Sequence, residues 1–335
     1  MLAGALRTYL SRNWDTAVEI VGLARIAGGA SRETWRFDAL VDGAVRPLIL
    51  RRDPGGSLIE TERGLEFSAL KTVYGRLPVP EPLILESGGR ELERPFFIMA
   101  RIDGGLVPSP IQPDPYGEHA AAIGAQFFGR LGDLAAIALA GTAIAAVAPR
   151  PGPDECWRVA LDHWAGVIDA DERHPQPVVR AAIRRLRANP PPRAGRVAIV
   201  HGDYRSGNFL HDGTGNILAL LDWEMAHLGD PLEDLAWAID PLWGHDDPDR
   251  VAGMLPRASA IAVWERHSGL NADPLALAWW SLFAAVKGMA IWTSAAREFV
   301  DGGLSDPVLA FSGWYIARRH EEILADALQR FAVAA

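Results

Sequence analysis

The chain is poor in the two residue types that would open the easiest lines of explanation. Of its 335 residues one is cysteine, Cys156. No intrachain disulfide can form, and a reducing, cytoplasmic setting is the natural expectation. No His–Asn or His–Asp arrangement addresses that thiol, so it reads as a small buried hydrophobe. Lysine is nearly absent: Lys71 and Lys287 stand against 31 arginines. A phosphate-binding cation near the N-terminal strands is therefore expected to be an arginine. The opening MLAGALRTYLSRNW lacks the long apolar core of a signal peptide. The apolar run from Leu134 to Ala148 is interrupted by Gly141 and Thr142. It reads as a buried helix and a loop, since a membrane span takes about 20 apolar residues. There is no internal repeat and no low-complexity tail.

Charge narrows the partners. The net charge is −9, and residues 1–104 hold 14 basic and 14 acidic groups, so the whole acidic excess lies in residues 105–335. Nucleic acid is a poor partner for such a surface. The length predicts two lobes, residues 1–102 and 103–335, with the Gly/Pro-rich run Asp103–Pro115 as the change between them. The first reads as strands at Glu19–Ala27, Thr34–Leu40, Val45–Arg51, Leu83–Glu86 and Pro95–Ala100, with a helix over Ile59–Val73 and a hairpin signal at Asp42-Gly43. That predicts a five-stranded antiparallel sheet with one inserted helix. The second reads as helices at Tyr116–Ile137, Glu155–Ala170, Val178–Ala188, Leu232–Ile239, Pro248–Ser268, Asp273–Glu298 and Asp306–Phe331.

The most informative stretch is Val197 to Glu224, VAIVHGDYRSGNFLHDGTGNILALLDWE. Asp203 lies in a tight polar loop between apolar runs, Asn208 follows five residues later, and Asp222 ends another apolar run fourteen residues beyond. Three oxygen donors delivered in this way suit Mg²⁺ held against a nucleoside triphosphate, with a carboxylate left to deprotonate a hydroxyl.

The segments HGDYRSGNFL, LLDWEMAHLGDPLEDLAW and PFFIMARIDG resemble the aminoglycoside phosphotransferase-type kinases, a small-molecule branch of the protein-kinase-like fold, over roughly residues 20–240. The resemblance implies an α+β, two-lobed kinase-like fold with ATP (or GTP) and Mg²⁺ as cofactors. It implies Asp203 as catalytic base and Asn208 and Asp222 as metal ligands. Arg205 either reaches the transferring phosphoryl group or lies on the surface. Arg51 falls where most kinases pair a lysine with the phosphates. Strand alternation puts Ile49 on its face, and Leu48, Leu50 and Arg52 on the other. Its acidic partner is expected to be Glu66, with Glu62 as the alternative. Gly28, Gly29 and Ser31 would approach the phosphates. Met99 would line the base pocket, with Ala100 and Ile102 reading the base through their backbone. His201 is expected to support the loop, and Asp230 and Asp234 to brace it.

Only eight positions separate Asp222 from Asp230, and no APE segment appears, so a peptide acceptor has little to lie on. The expected acceptor is a small-molecule hydroxyl compound held by the C-terminal helices. Family acceptors include aminoglycosides, macrolides, choline-like alcohols, homoserine and hydroxyacyl thioesters. The LRR strand and DWE segment are similar to kinase domains fused to certain acyl-CoA dehydrogenases. The many C-terminal tryptophans read as core, some lining an acceptor pocket. The run His245–Asp249 reads as a solvated loop or an attractor of cations. Two rivals stay open: a pseudokinase that binds nucleotide without turnover, with Arg51 as its one warning sign, and a Mg²⁺-dependent hydrolase.

Overall fold

The computed structural model describes residues 2–26, 33–53, 63–109, 112–245, 247–301 and 306–334. A helix α1 (Leu2–Trp14) precedes strands β1 (Val18–Arg25), β2 (Glu33–Val41) and β3 (Ala44–Arg52). Helix α2 (Arg63–Val73) then leads to β4 (Pro82–Glu86) and β5 (Phe96–Ala100). The five strands form one antiparallel sheet in the order β1-β2-β3-β5-β4. The β2–β3 hairpin turns on Asp42 and Gly43, both at positive φ (50° and 78°). This is the tight turn whose twist matches the strands it joins.

Period-two patterning sorts the sheet into two faces. Leu48, Leu50, Phe96 and Ile98 pack with Leu6, Tyr9 and Leu10 of α1 in one core. Phe97 on the opposite face joins the main core together with Ala69, Leu70 and Val73 of α2. The sequence reading does not anticipate α1, although Leu2, Leu6, Tyr9 and Leu10 repeat at helical spacing.

The rest is mainly helical: α3 (Ala120–Ala136), α4 (Ala143–Val147), α5 (Cys156–Asp171), α6 (Pro177–Ala188), α7 (Leu232–Ala238), α8 (Arg257–Ser268), α9 (Pro274–Val300), α10 (Pro307–Phe311) and α11 (Ala317–Ala334). Short strands β6 (Ala198–Val200), β7 (Phe209–His211), β8 (Ile217–Leu220) and β9 (His227–Gly229) pair as β6–β9 and β7–β8. Together with the N-terminal sheet this is the α+β kinase-like architecture expected.

Two helices differ from expectation. The predicted helix from Pro248 begins only at Arg257, because Ala252 and Gly253 take positive φ and Pro256 sets the N-cap. The predicted C-terminal helix runs on through α10, a π turn over Ser312–Ile316, and α11, with right-handed helical backbone at both junctions, so it differs only in carrying that wider turn. Helix α9 is long and apolar enough to cross a membrane, but 72% of its most apolar window is buried. Its start is fixed by Pro274 at the first turn and by Asp273, whose carboxylate accepts the Leu275 and Ala276 amide hydrogens, each at 2.9 Å.

Helices α3 and α8 touch through Gly132. A Cβ there would stand 2.5 Å from His267 Cβ and 2.7 Å from the Trp264 carbonyl oxygen. Gly132→Ala should therefore destabilise by about 1–3 kcal/mol through overpacking. Gly166→Ala on α5, with nothing within 4 Å of the added carbon, should be neutral or stabilise by about 0.5–1 kcal/mol. Urea unfolding of both variants checks this; equal effects would rule out the tight crossing.

Candidate active site

The loop after β6 is held from beneath by α7. Asp234 accepts the His201 amide at 2.6 Å and the Gly202 amide at 3.0 Å. The His201 ring closes the next link. Its Nδ1 accepts the Asp203 amide at 3.1 Å, so Nε2 carries the proton and donates to the Leu221 carbonyl at 2.9 Å. Burial pushes the His201 pKa down, outweighing the nearby carboxylates, and the ring stays neutral. Gly202 sits at φ +84°, and a Cβ there would lie 2.3 Å from the Met225 carbonyl oxygen, so this position requires glycine.

Asp203 is presented with every neighbour fixed. Trp237 Nε1 donates to its Oδ1 at 2.8 Å, and Arg205 Nε lies 3.1 Å from both oxygens. Asn208 Nδ2 donates to Asp203 Oδ2 at 2.6 Å and to the Asp203 carbonyl at 2.8 Å. With its nitrogen committed there, Asn208 turns its amide oxygen away from Asp203. The Arg205 guanidinium also lies over the Trp243 ring, 4.9 Å from the centroid, an arrangement that holds it against Asp203.

Asp222 reaches the same place from β8. The Leu221 amide donates to the Asn208 carbonyl at 2.8 Å, which ties the two segments together. Asp222 itself adopts the left-handed conformation (φ 64°, ψ 62°), uncommon outside glycine and concentrated at functional sites. Its Oδ1 accepts from Arg51 Nη2 at 3.1 Å. The same guanidinium meets Glu66 Oε1 at 2.8 Å through Nη1 and Glu224 Oε2 at 3.1 Å through Nη2. Burial raises the Asp222 carboxyl, but Arg51 outweighs it and holds the group below the ordinary carboxylate range. Burial lowers the Arg51 pKa, and Glu66, Asp222 and Glu224 raise it further still. So β3, α2 and the DWE segment meet around one guanidinium.

The structure brings Arg51, Glu66, Asp203, Arg205, Asn208 and Asp222 together. Ile49 is buried and lies opposite Met99 in the sheet register. The Ala100 amide donates to the Glu81 carbonyl at 2.9 Å. Ile102 follows the strand end. Gly28, Gly29, Ser31 and the alternative Glu62 lie outside the described residues. Asp234 braces the loop as expected. Asp230 accepts from Leu232 N and from Trp280 Nε1, and burial lifts its carboxyl to about 6. Burial likewise lifts the Cys156 thiol to about 12, which leaves it a weak nucleophile.

Sequence reasoning missed Glu224, Trp237, Glu233 and Lys287. Lys287 had a visible signal: it is one of two lysines and interrupts the otherwise apolar run from Leu282 to Trp292. It is buried, donates to the Gly202 carbonyl at 2.5 Å and to Glu233 Oε1 at 2.9 Å, and lies 5.3 Å and 5.6 Å from the Trp237 and Trp164 ring centroids. His227 Nε2 meets the other Glu233 oxygen at 3.1 Å. Burial would raise the Glu233 carboxyl; Lys287 and His227 outweigh it and hold it at about 2.

Lys287→Met would leave Glu233 buried beside His227 alone, a loss of about 3–5 kcal/mol. Because the folded pKa of Glu233 is depressed, its contribution is complete above its ordinary value of 4.5 and fades as pH falls toward 2. The gap between parent and variant should accordingly be larger at pH 7 than at pH 4, as read by denaturant melts. A gap that widens toward pH 4 would contradict this.

The architecture and this constellation define the class of protein: a kinase-like phosphotransferase. The profile of the phosphotransferase enzyme family matches residues 22–270, and the chain belongs to that family, whose members act on hydroxyl groups of small molecules. Among curated relatives it is 29% identical over 198 residues to acyl-CoA dehydrogenase family member 11 of Gallus gallus, covering 57% of this chain and 24% of the relative. It is 25% identical over 250 residues to the viomycin phosphotransferase of Streptomyces vinaceus, covering 71% of this chain and 79% of the relative. The chain thus spans about a fifth to a third of the length of the dehydrogenase relatives it matches. A solved candidate aminoglycoside phosphotransferase from Ralstonia eutropha shares the fold at TM-score 0.76 and 20% identity, over 98% of both chains. So does aminoglycoside phosphotransferase APH(4)-Ia in complex with ADP and hygromycin B, at TM-score 0.57 and 19% identity, over 96% of this chain and 98% of that one.

Proposed function

We propose that this chain transfers the γ-phosphoryl group of ATP, or of GTP, to a hydroxyl of a small molecule, with Mg²⁺. The observation that carries this is the meeting of Arg51, Glu66 and Asp222 across the sheet and helical regions, beside an Asp203 already bonded to Asn208. In this reading residues 1–102 hold the nucleotide, and residues 103–335 supply the loop and the acceptor site. The near-absence of cysteine fits a reducing, cytoplasmic setting.

The donor set fits Mg²⁺. Asp222 and the Asn208 amide offer hard oxygens, and this ion takes one or two protein carboxylates with the rest of its shell from phosphates and water. Among the described residues no group of three His, Cys, Asp or Glu could hold a metal. Arg51 faces three carboxylates, an imbalance of charge that a bound cation offsets. When bound, the ion screens the phosphate charges and orients them for in-line transfer.

The chain's own groups do the rest. Arg51 would turn the Nη2 hydrogens now on Asp222 and Glu224 to the phosphates while Glu66 fixes its direction through Nη1. Asp203, 14% exposed, orients the acceptor hydroxyl and takes its proton, and Trp237 and Asn208 hold the carboxylate in one rotamer. Arg205 is close enough to Asp203 to meet the developing phosphoryl charge. A module without turnover usually lacks the base or a metal ligand, and the residues read in those roles are all present in this sequence.

Asp203→Ala should lower turnover by about 10²–10⁴ or more and leave ATP affinity within a few-fold. Asp222→Ala should abolish the tightening of ATP binding by Mg²⁺. ADP release over a panel of hydroxyl-bearing metabolites and antibiotics, with calorimetric ATP titrations, measures both. Parallel loss of binding and turnover in Asp203→Ala would remove it from the role of base.

A further inference from the structure

A cavity of about 770 Å³ lies beside the active-site wall. Trp237, whose indole donates to Asp203, packs edge-on against Trp243 with centroids 5.1 Å apart. The chain neighbours of these two rings, Ala236 and Gly244, line the cavity, as does His245. His245 Nε2 is 3.0 Å from Ser206 Oγ in the catalytic-type loop. Ile239, Leu282, Ile323 and Phe331 give the cavity an apolar side.

Its charges are unbalanced. Arg257, Arg319 and Arg330 line it, and none makes an ion pair with another described residue. The carboxylates nearby are mostly spoken for. Asp240 is buried; its Oδ1 accepts the Leu242 amide at 2.8 Å, and its Oδ2 stands 3.5 Å from His320 Nε2. Asp247 pairs with Arg250 at 3.2 Å and accepts the Asp249 amide at 2.9 Å. Among the described carboxylates that line the cavity, that leaves Asp249 to answer three guanidinium groups. With Asp240 and Asp247 already bonded, the described carboxylates at the cavity do not make it a seat for a cation.

We propose that the cavity is an anion-recognising part of the acceptor site, taking a carboxylate or phosphate carried on an apolar body. The proposal rests on the phosphotransferase reading and names its substrate class: a hydroxyl compound that is amphiphilic and anionic. The guanidinium groups of Arg257 and Arg330 hold the anion by bidentate, charge-assisted bonds. The body lies along Ile239, Leu282 and Ile323, and the hydroxyl end is turned toward His245, which meets Ser206 of the loop that carries Asp203.

Calorimetry on the full chain without nucleotide tests this directly, using octanoate, octyl phosphate, octyltrimethylammonium and octanol as probes. At least one anion should bind ten-fold or more tighter than the ammonium, and the tighter of the two anions identifies the head group. The Arg257→Gln/Arg330→Gln variant should lose at least ten-fold in anion affinity and keep its affinity for octanol and ATP. Arg319→Gln, an exposed single change, should give a smaller loss in the same direction and serves if the double variant does not fold. Equal binding of anion and ammonium, or anion binding indifferent to these arginines, would overturn the proposal. Anion binding that follows the arginines, in a chain whose Asp203→Ala variant keeps full turnover, would sink the mechanistic reading and leave the site standing.

Discussion

The active-site loop depends on one buried carboxylate taking two amide hydrogens. Asp234 satisfies His201 and Gly202 from below, and each amide left without a partner there would cost about 1–3 kcal/mol. The remaining polar groups of the loop are closed in turn. The Gly202 carbonyl is taken by Lys287, the Asp203 amide by the His201 ring, and the Asp203 carbonyl by Asn208. With every backbone donor and acceptor from 201 to 203 assigned except the His201 carbonyl, few other conformations are open to the loop. Asp203 is aimed by this network before any substrate arrives, and such preorganisation is what phosphoryl transfer asks of a protein.

The short helix α7 does this with three residues. Glu233 anchors Lys287, Asp234 holds the loop amides, and Trp237 bonds the Asp203 carboxylate. All seven of its residues are buried, so it cannot adjust without disturbing the core. The second anchor lies across the crevice, where Arg51 gathers Glu66, Asp222 and Glu224. A lysine ammonium is a point charge. The guanidinium fork can point one nitrogen at Glu66 and the other at Asp222 and Glu224 at once. In a chain with two lysines the substitution is in keeping with composition, and here it also widens the reach of the group.

Much of the phosphate end was legible because its chemistry demands particular groups in a particular order. Asp203, Asn208 and Asp222 lie within twenty residues of one another, and alternation along PLILRR suffices to place Arg51 on the inner face. The choice of Glu66 followed from helical position. What failed did so for physical reasons. The pairing of the Ala100 amide with the Glu81 carbonyl went unseen, since backbone pairing of that kind leaves no mark in side chains. Pro248 looked like a helix start, but Ala252 and Gly253 take left-handed backbone before Pro256. Helix α1 carried a readable period and was passed over. Trp237 gave no sign of its role, since an indole that packs and one that also donates to a carboxylate are the same letter.

The acceptor side is harder to read, because its parts are far apart in the chain. Arg257 comes from the first turn of α8, and Arg319 and Arg330 from α11; they share a cavity only once these helices have packed around α9. Helix α9 serves both ends of the site. Ala278, Ser281 and Leu282 face the cavity, and Lys287, little more than a turn further on, holds the Gly202 carbonyl. Helix α7 is shared in the same way, with Ala236 on the cavity and Trp237 on Asp203. A molecule seated in the cavity thus packs against the two helices that fix the position of the catalytic-type carboxylate. Changes confined to the arginines can alter what is bound there and leave the loop undisturbed, whereas changes to α7 or to Lys287 reach both ends together.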